Sequence, residues 1–304
     1  MFTSANSYPI KVLRNPPIKN GKYFPVCVQL WLTNRCNLKC PYCATQARNI
    51  SDELSYSDIK EIAKIISALG TKAVVLSGGG EAILHPYIDE IINLVVASGI
   101  KVGLITNGIL LKKLRSLNSL EWCRISFDDY RIFAEEKYIF EPIIMQHQHV
   151  DWAFSYLITD NFNQANFQAV LDFVLKHDSI THCRITSDVF NPVEYDKIPN
   201  LNSLPKCVIR EPNTNVSSGN NPCYMSIAKP LIAANGNVYG CCEVLQYLGF
   251  NASTKIGHYS ELPNIIRNQL FFNGTKCSTC NFSEYNKCLE AYDPRIEIKH
   301  LNFL

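Results

Sequence analysis

The sequence predicts an α/β fold: a parallel βα barrel followed by a small cysteine-rich unit. Three observations carry this. Apolar runs of strand length alternate with helical patterns, giving six strands between Val26 and Ser187. A Pro- and Asn-rich stretch then breaks the pattern over residues 191–221. Cysteines cluster on both sides of that break. At 304 residues and 47% hydrophobic, the chain is long enough for one large domain and a smaller one.

Residues 1–25, rich in Pro, Asn and Lys, read as an irregular lead-in. Val26–Thr33 is a β-rich run that ends just before a cysteine loop. Ser57–Leu69 carries Ile and Ala at helical spacing and stops at Gly70. Lys72–Ser77 is a buried-type strand, and Ile88–Ala97 fits a helix. Lys101–Thr106 is the third strand, with a short helix expected from Ile109. Trp122–Phe127 and Val150–Ile158 continue the series, while the connection from Tyr130 to Gln148 has no clear pattern. Phe162–His177 reads as a helix and Thr181–Ser187 as the sixth strand. In such barrels the functional groups lie at the C-terminal ends of the strands.

Net charge is +2, so no global field argues for nucleic acid or a membrane surface. No apolar run approaches a membrane span, and the first twenty residues lack a signal-peptide core. A cytoplasmic setting is expected, where 13 clustered cysteines point to metal rather than disulfides. The seven histidines form no HxxxH or HExxH pattern and read as structural or surface.

Cys36, Cys40 and Cys43 stand at C-x3-C-x2-C spacing after the first strand. So tight a loop can place three sulfurs on three irons of one cubane, leaving the fourth iron open. A zinc site would want four tetrahedral ligands, usually with a paired knuckle elsewhere. After the second strand comes Ser77-Gly78-Gly79-Gly80-Glu81. Glycines there let backbone approach a ligand and adopt positive φ, and Glu81 adds a carboxylate able to meet an ammonium. Together the two motifs, with Tyr42 just before the third cysteine, resemble the radical S-adenosylmethionine (SAM) superfamily.

That resemblance implies a partial (β/α)6 barrel over residues 26–190. It implies a [4Fe–4S] cluster on Cys36, Cys40 and Cys43, with SAM chelating the open iron. It also implies reductive cleavage of SAM to a 5′-deoxyadenosyl radical, hydrogen abstraction from a substrate C–H bond, and a flavodoxin- or ferredoxin-type electron donor. Gly78, Gly79, Gly80 and Glu81 would grip the SAM amino group, and Tyr42 would lie near the adenine. Asn107, in Thr106-Asn107-Gly108, resembles the family's asparagine-glycine turn, with an ordinary turn as the plainer reading. Ser126, Asp128 and Ser155 are placed at strand ends to reach SAM, or else to pack the barrel.

Beyond the linker at 191–221, residues 222–304 hold Cys223, Cys241, Cys242, Cys277, Cys280 and Cys288. The run from Met225 to Cys242 reads as a hairpin turning at Asn235-Gly236-Asn237, and Cys277–Cys280 is a metal knuckle. This spacing resembles the SPASM/twitch extensions of radical SAM enzymes, and fits the single-cluster twitch form better. The resemblance implies one auxiliary [4Fe–4S] cluster on Cys223, Cys241, Cys277 and Cys280, with Cys242 and Cys288 in reserve. A structural zinc on the same thiols is the alternative. The extension is similar to that of 2-deoxy-scyllo-inosamine dehydrogenase, which points to dehydrogenation or epimerisation of a small hydroxylated, sugar-like metabolite. Modification of a ribosomally made peptide, by crosslinking or epimerisation, is the alternative. Cys183 or Cys123 could return hydrogen in an epimerase only if lumenal; otherwise, like Cys27 and Cys207, they are small buried hydrophobes. Glu243 is a candidate substrate contact or base, against the plainer reading of a solvated hairpin carboxylate.

Overall fold

The computed structural model describes residues 8–188, 190–193, 195, 198, 204–210, 221–243, 245, 249–250, 253–277, 280 and 282–293. The expected strands are all present: β1 (Cys27–Trp31), β2 (Ala73–Ser77), β3 (Lys101–Thr106), β4 (Trp122–Asp128), β5 (Asp151–Ile158) and β6 (Ile180–Ser187). Each pairs in parallel with the next. The series extends to β7 (Cys207–Arg210), parallel to β6, within the span expected as linker. Most of that span, including the polar run at 211–220, lies outside the described residues.

The C-terminal segment joins the same sheet at its other edge. β8 (Leu231–Ile232) runs parallel to β1, and β9 (Asn237–Tyr239) and β10 (Lys255–His258) follow antiparallel. The strand order is β10-β9-β8-β1-β2-β3-β4-β5-β6-β7, an open, mostly parallel barrel wall. The β8–β9 turn is the expected hairpin, with Gly236 at φ +77°.

The helices are α1 (Tyr8–Arg14), α2 (Tyr56–Ala68), α3 (Ile88–Ala97), α4 (Phe133–Gln146), α5 (Gln164–Lys176), α6 (Met225–Ala228), α7 (Leu262–Arg267) and α8 (Ser283–Glu290). Of these, α2 to α5 are the crossovers between parallel strands and cover the outer face of the wall. α2 starts at a capping box between Ser55 and Asp58, and α5 at an Asn163 cap. α4 fills the connection that showed no clear pattern, with Pro142 inside it removing one backbone donor. From Tyr8 onward the lead-in forms α1 and a short hairpin of Ile18–Lys19 with Lys22–Tyr23. The helix expected from Ile109 is instead two 3-10 turns, Leu111–Lys113 and Leu117–Ser119.

Strand side chains alternate between this helix-packed face and the barrel lumen. Phe127 and Phe154 pack edge-on against Phe133 and Phe140 of α4, so their phase faces the helices. Cys123 and Ile125 share Phe127's phase, and Cys183 lies opposite Phe154 in register. Arg124, Ser126 and Asp128 therefore face the lumen, as do His182, Arg184 and Thr186.

Candidate functional site at the barrel mouth

The Cys36–Cys43 loop lies over the C-terminal ends of β1, β2, β3 and β4. Its thiols are half-buried; Cys36 feels the charge of Cys43, and Cys40 those of Cys36 and Cys43. Burial raises both thiols; the Leu38 N–H, at 3.4 Å from the Cys36 sulfur, pulls the other way. Arg48 clamps the loop: Nη1 lies 3.4 Å from the Cys43 sulfur and 2.9 Å from the Thr45 carbonyl, and Nε 2.9 Å from the Asn34 carbonyl. Donors aimed at sulfur favour the thiolate, the form that binds metal. Among the described residues no three His, Cys, Asp or Glu side chains converge on a single-ion site. A cubane does not need them to, because each thiolate takes a different iron. Three half-buried thiols with cationic and amide donors around them suit such a cluster.

The glycine run abuts this loop. Gly80 N–H donates to the Thr33 carbonyl at 3.2 Å and Glu81 N–H to the Arg35 carbonyl at 2.8 Å. A Cβ on Gly79 would sit 2.0 Å from Asn34 Oδ1, and one on Gly80 2.0 Å from the Arg35 carbonyl oxygen. Close approach is what Gly79 and Gly80 supply. The positive φ expected of the run does not occur, as none of Gly78, Gly79 or Gly80 is left-handed. Thr45 Oγ1 adds a 3.0 Å bond to the Gly79 carbonyl.

Glu81 is only 3% exposed and knots β2 to β3. Oε1 accepts from Thr106 Oγ1 at 2.8 Å and from the Ile83 N–H at 3.2 Å, and Oε2 from the Asn107 N–H at 2.8 Å. Burial outweighs these bonds and pushes the carboxyl above its usual range. Asn107 reaches on to the cysteine loop through Nδ2 to Asn37 Oδ1 at 2.8 Å. Gly108 completes the turn at φ +85°, under Phe140. Asp128 accepts from the Tyr130 N–H at 2.8 Å and from the Tyr42 hydroxyl, which also bonds Cys40. Burial raises both Asp128 and Tyr42. Tyr42 packs on Tyr130 with ring centroids 5.8 Å apart. Arg131 ties the mouth together, donating to the carbonyls of Ser126 at 2.7 Å and Asn107 at 2.9 Å, with Glu136 as its ion-pair partner.

Of the remaining expected residues, Ser126 faces the lumen through its side chain, and Ser155 Oγ accepts from Arg184 at 3.2 and 3.3 Å. Cys123 and Cys183 do not meet the condition set for a hydrogen donor. Both are fully buried in the hydrophobic core on the helix face, where desolvation drives their thiols far up. Glu243 is not a solvated carboxylate; it is 6% exposed and ion-paired with Arg210 of β7 at 3.0 Å. Among the histidines read as structural or surface, His182 is buried on the lumen face of β6. Arg48, Arg131 and Arg210 carried no motif. The alternation in WCRISFD and THCRITS, by contrast, already puts the cysteines in phase with Ile125, Phe127 and Ile185.

In the C-terminal segment, Cys223, Cys277 and Cys280 lie within electrostatic reach of one another. Cys223 is pushed to about 12, chiefly by burial. Its N–H bonds the Phe272 carbonyl at 3.1 Å. Gly240, one residue before Cys241, approaches so closely that a Cβ would lie 3.1 Å from the Phe272 side chain. Cys277 and Cys280 both feel Glu243. Cys242 packs in a small apolar group with Trp31 and Leu231, and Cys288 against the main core.

Residues 32–132 match the family model of the Radical SAM superfamily. The match spans the cysteine loop, the glycine-glutamate element, Asn107 and Asp128, about a third of the chain. Among curated proteins, a probable GTP 3′,8-cyclase of Methanothermobacter marburgensis is 33% identical over 124 residues, 38% of this chain and 40% of that protein. A GTP 3′,8-cyclase of Stenotrophomonas maltophilia is 38% identical over 98 residues, 31% of this chain and 29% of that one. The matched stretch is thus less than half of these relatives' length. Among solved structures, Streptococcus suis SuiB bound to precursor peptide SuiA aligns over 86% of this chain and 68% of its own, at TM-score 0.59 and 15% identity. Native anSMEcpe with bound AdoMet and Kp18Cys peptide aligns over 87% of this chain and 88% of its own, at TM-score 0.57 and 15% identity. At such identities the likeness is one of fold. Among the described residues no helix is long and apolar enough to cross a membrane.

Proposed function

We propose that this chain is a radical SAM enzyme that removes a hydrogen atom from a substrate C–H bond. The observation that carries the reading is the knot of Cys36–Cys43, Gly79–Glu81, Asn107 and Asp128 at one barrel mouth, tied by Glu81 and Arg131. When bound, a [4Fe–4S] cluster on Cys36, Cys40 and Cys43 together with SAM supplies the 5′-deoxyadenosyl radical. Arg48 and the Leu38 N–H hold the loop sulfurs in place for that cluster. Gly79 and Gly80 bring bare backbone to the mouth, with Glu81 beneath it fixing the Asn107 turn. Tyr42 and Asp128 hold the far wall.

Cys223, Cys241, Cys277 and Cys280 would hold one auxiliary [4Fe–4S] cluster, the second domain running from about residue 222. Fully ligated by protein, such a cluster passes electrons, which suits dehydrogenation of a small hydroxylated metabolite. Epimerisation is less well supported, because Cys123 and Cys183 face away from the lumen. Peptide modification is the second reading: SuiB and anSMEcpe were solved with peptides.

The test is anaerobic reconstitution with iron and sulfide counts, alongside 5′-deoxyadenosine release. About eight irons in the wild type and about four in a Cys36/Cys40/Cys43→Ala variant, with release abolished, is the expected result. Undiminished release in that variant refutes the radical SAM reading. Four irons and one zinc in the wild type refute the auxiliary cluster.

A further inference from the structure

Two cations from distant parts of the chain converge on one aromatic ring beside the C-terminal thiols. Arg210 closes β7, and Lys229 stands between α6 and β8, near the other end of the strand order. The Arg210 guanidinium lies 5.9 Å from the centroid of the Phe282 ring, and the Lys229 ammonium 5.4 Å. Phe282 is two residues beyond Cys280 and donates its N–H to that thiol. Glu243, two residues beyond Cys241, brings the opposing charge, its Oε1 accepting from Arg210 Nη2 at 3.0 Å. Among these three charged groups the balance is positive.

The sign of each influence can be read at the sulfurs. Burial is the largest effect on Cys242, Cys277 and Cys280 and raises all three thiols. Glu243 raises them further, whereas Arg210 pulls Cys242 and Cys280 down and Lys229 pulls Cys242 down. A cation that favours a thiolate also favours the added electron of a reduced cluster, because both changes add one negative charge. Arg210 has a second aspect. Its strand phase faces the lumen, where it completes the row of Asp128, Leu157 and Thr186 just below the mouth. One guanidinium thus stands between the lumen and the C-terminal cysteines.

We propose that Arg210 and Lys229, opposed by Glu243, set the reduction potential of the auxiliary cluster, the two cations holding it higher than the thiol ligands alone would. This rests on the reading that Cys223, Cys241, Cys277 and Cys280 carry a [4Fe–4S] cluster. The couple takes up one electron, with no bond or proton exchanged, so charge near the sulfurs acts on it directly. None of the three residues is a ligand. They act through the field at Cys280, Cys277 and Cys242.

The experiment is an EPR-monitored redox titration of the anaerobically reconstituted protein, with and without SAM, with metals counted in every sample. The signal that SAM perturbs belongs to the cluster on Cys36, Cys40 and Cys43; the signal it leaves unchanged belongs to the auxiliary cluster. Arg210→Gln and Lys229→Gln should each lower the auxiliary potential, by about tenfold in the equilibrium constant for one-electron reduction, or ~59 mV. Glu243→Gln should raise it by a similar factor. Arg210→Lys keeps the charge without the planar fork and should stay near wild type. The SAM-perturbed signal should keep its potential throughout. The double variant Arg210→Gln/Glu243→Gln leaves neither charge buried without its partner, and should fall between the two single variants. Shifts of the same sign in Arg210→Gln and Glu243→Gln would mark loosened packing rather than charge, and overturn the inference. About eight irons with an auxiliary potential unmoved in every variant would overturn it alone. About four irons and one zinc in the wild type would sink the auxiliary-cluster reading, and this inference with it.

Discussion

Gly80→Ala tests whether the glycine run serves the cysteine loop. The new Cβ would stand 2.0 Å from the Arg35 carbonyl oxygen and 2.6 Å from the carbonyl carbons of Asn34 and Arg35. Ordinary contact begins near 3.4 Å, so the loop must retreat by about 1 Å or more, and its neighbours here are backbone that cannot rotate away. Gly80 φ is not left-handed, so alanine adds no dihedral penalty and the effect is purely steric. Overpacking of this kind costs about 1–3 kcal/mol. Weakening the Gly80–Thr33 and Glu81–Arg35 bonds adds about 1 kcal/mol each. The consequence for chemistry is larger, because a 1 Å displacement of positioned groups can cost about a hundredfold in rate. Anaerobic urea unfolding and 5′-deoxyadenosine release, scaled to iron content, measure the two effects. A variant with wild-type release and wild-type stability would show that the loop tolerates displacement, and the steric argument would fail.

Two further perturbations follow from buried groups. Glu81→Gln turns an amide NH2 toward either the Asn107 N–H or the Ile83 N–H, leaving a buried donor facing a donor; a loss of about 1–3 kcal/mol in urea unfolding is expected, with equal stability counting against the knot. His182, held at about 4 in the fold against about 6.5 when unfolded, gives stability that is complete above pH 6.5. As pH falls through 6.5 the unfolded chain takes the proton first, so between pH 7 and 5.5 this group should cost about 1 kcal/mol. The difference in unfolding free energy between wild type and His182→Asn across that window isolates the contribution. Parallel pH curves for the two proteins would refute it.

Much of this was legible because the physics is local. Strand phase is a property of successive residues, so the six strands and the helix-packed face of β4 and β6 can be read from WCRISF and THCRITS. The cysteine loop and glycine run are contiguous, and contiguity is what a motif preserves. The contacts that unify the mouth are of another kind. Arg48 and Arg131 act mainly by donating to carbonyls of Asn34, Asn107 and Ser126, and a carbonyl acceptor has no residue type for a pattern to find. α4 was obscured by Pro142 and β7 by the surrounding prolines, although tertiary packing on Phe127 and pairing with β6 override both.

The same reasoning explains why residues 191–221 read as a boundary while the sheet runs through them. Composition reports how a segment meets water, not which strand it pairs with. β7 supplies Arg210, whose partner Glu243 follows β9 from the opposite edge of the strand order. An ion pair with Glu243 6% exposed is costly to bury and still more costly to break, since removing one partner leaves an uncompensated charge. Arg210 and Lys229 also lie over the Phe282 ring, at 5.9 and 5.4 Å. The barrel and the C-terminal cysteine segment are fastened by β8 on β1, by Arg210 on Glu243 and by the Tyr259 hydroxyl on Asp58 of α2. Since Glu243 also acts on Cys277 and Cys280, a change in charge at those thiols is felt by a residue of the lumen row just below the mouth. The second cysteine group is thus electrostatically part of the barrel, whatever boundary its composition draws.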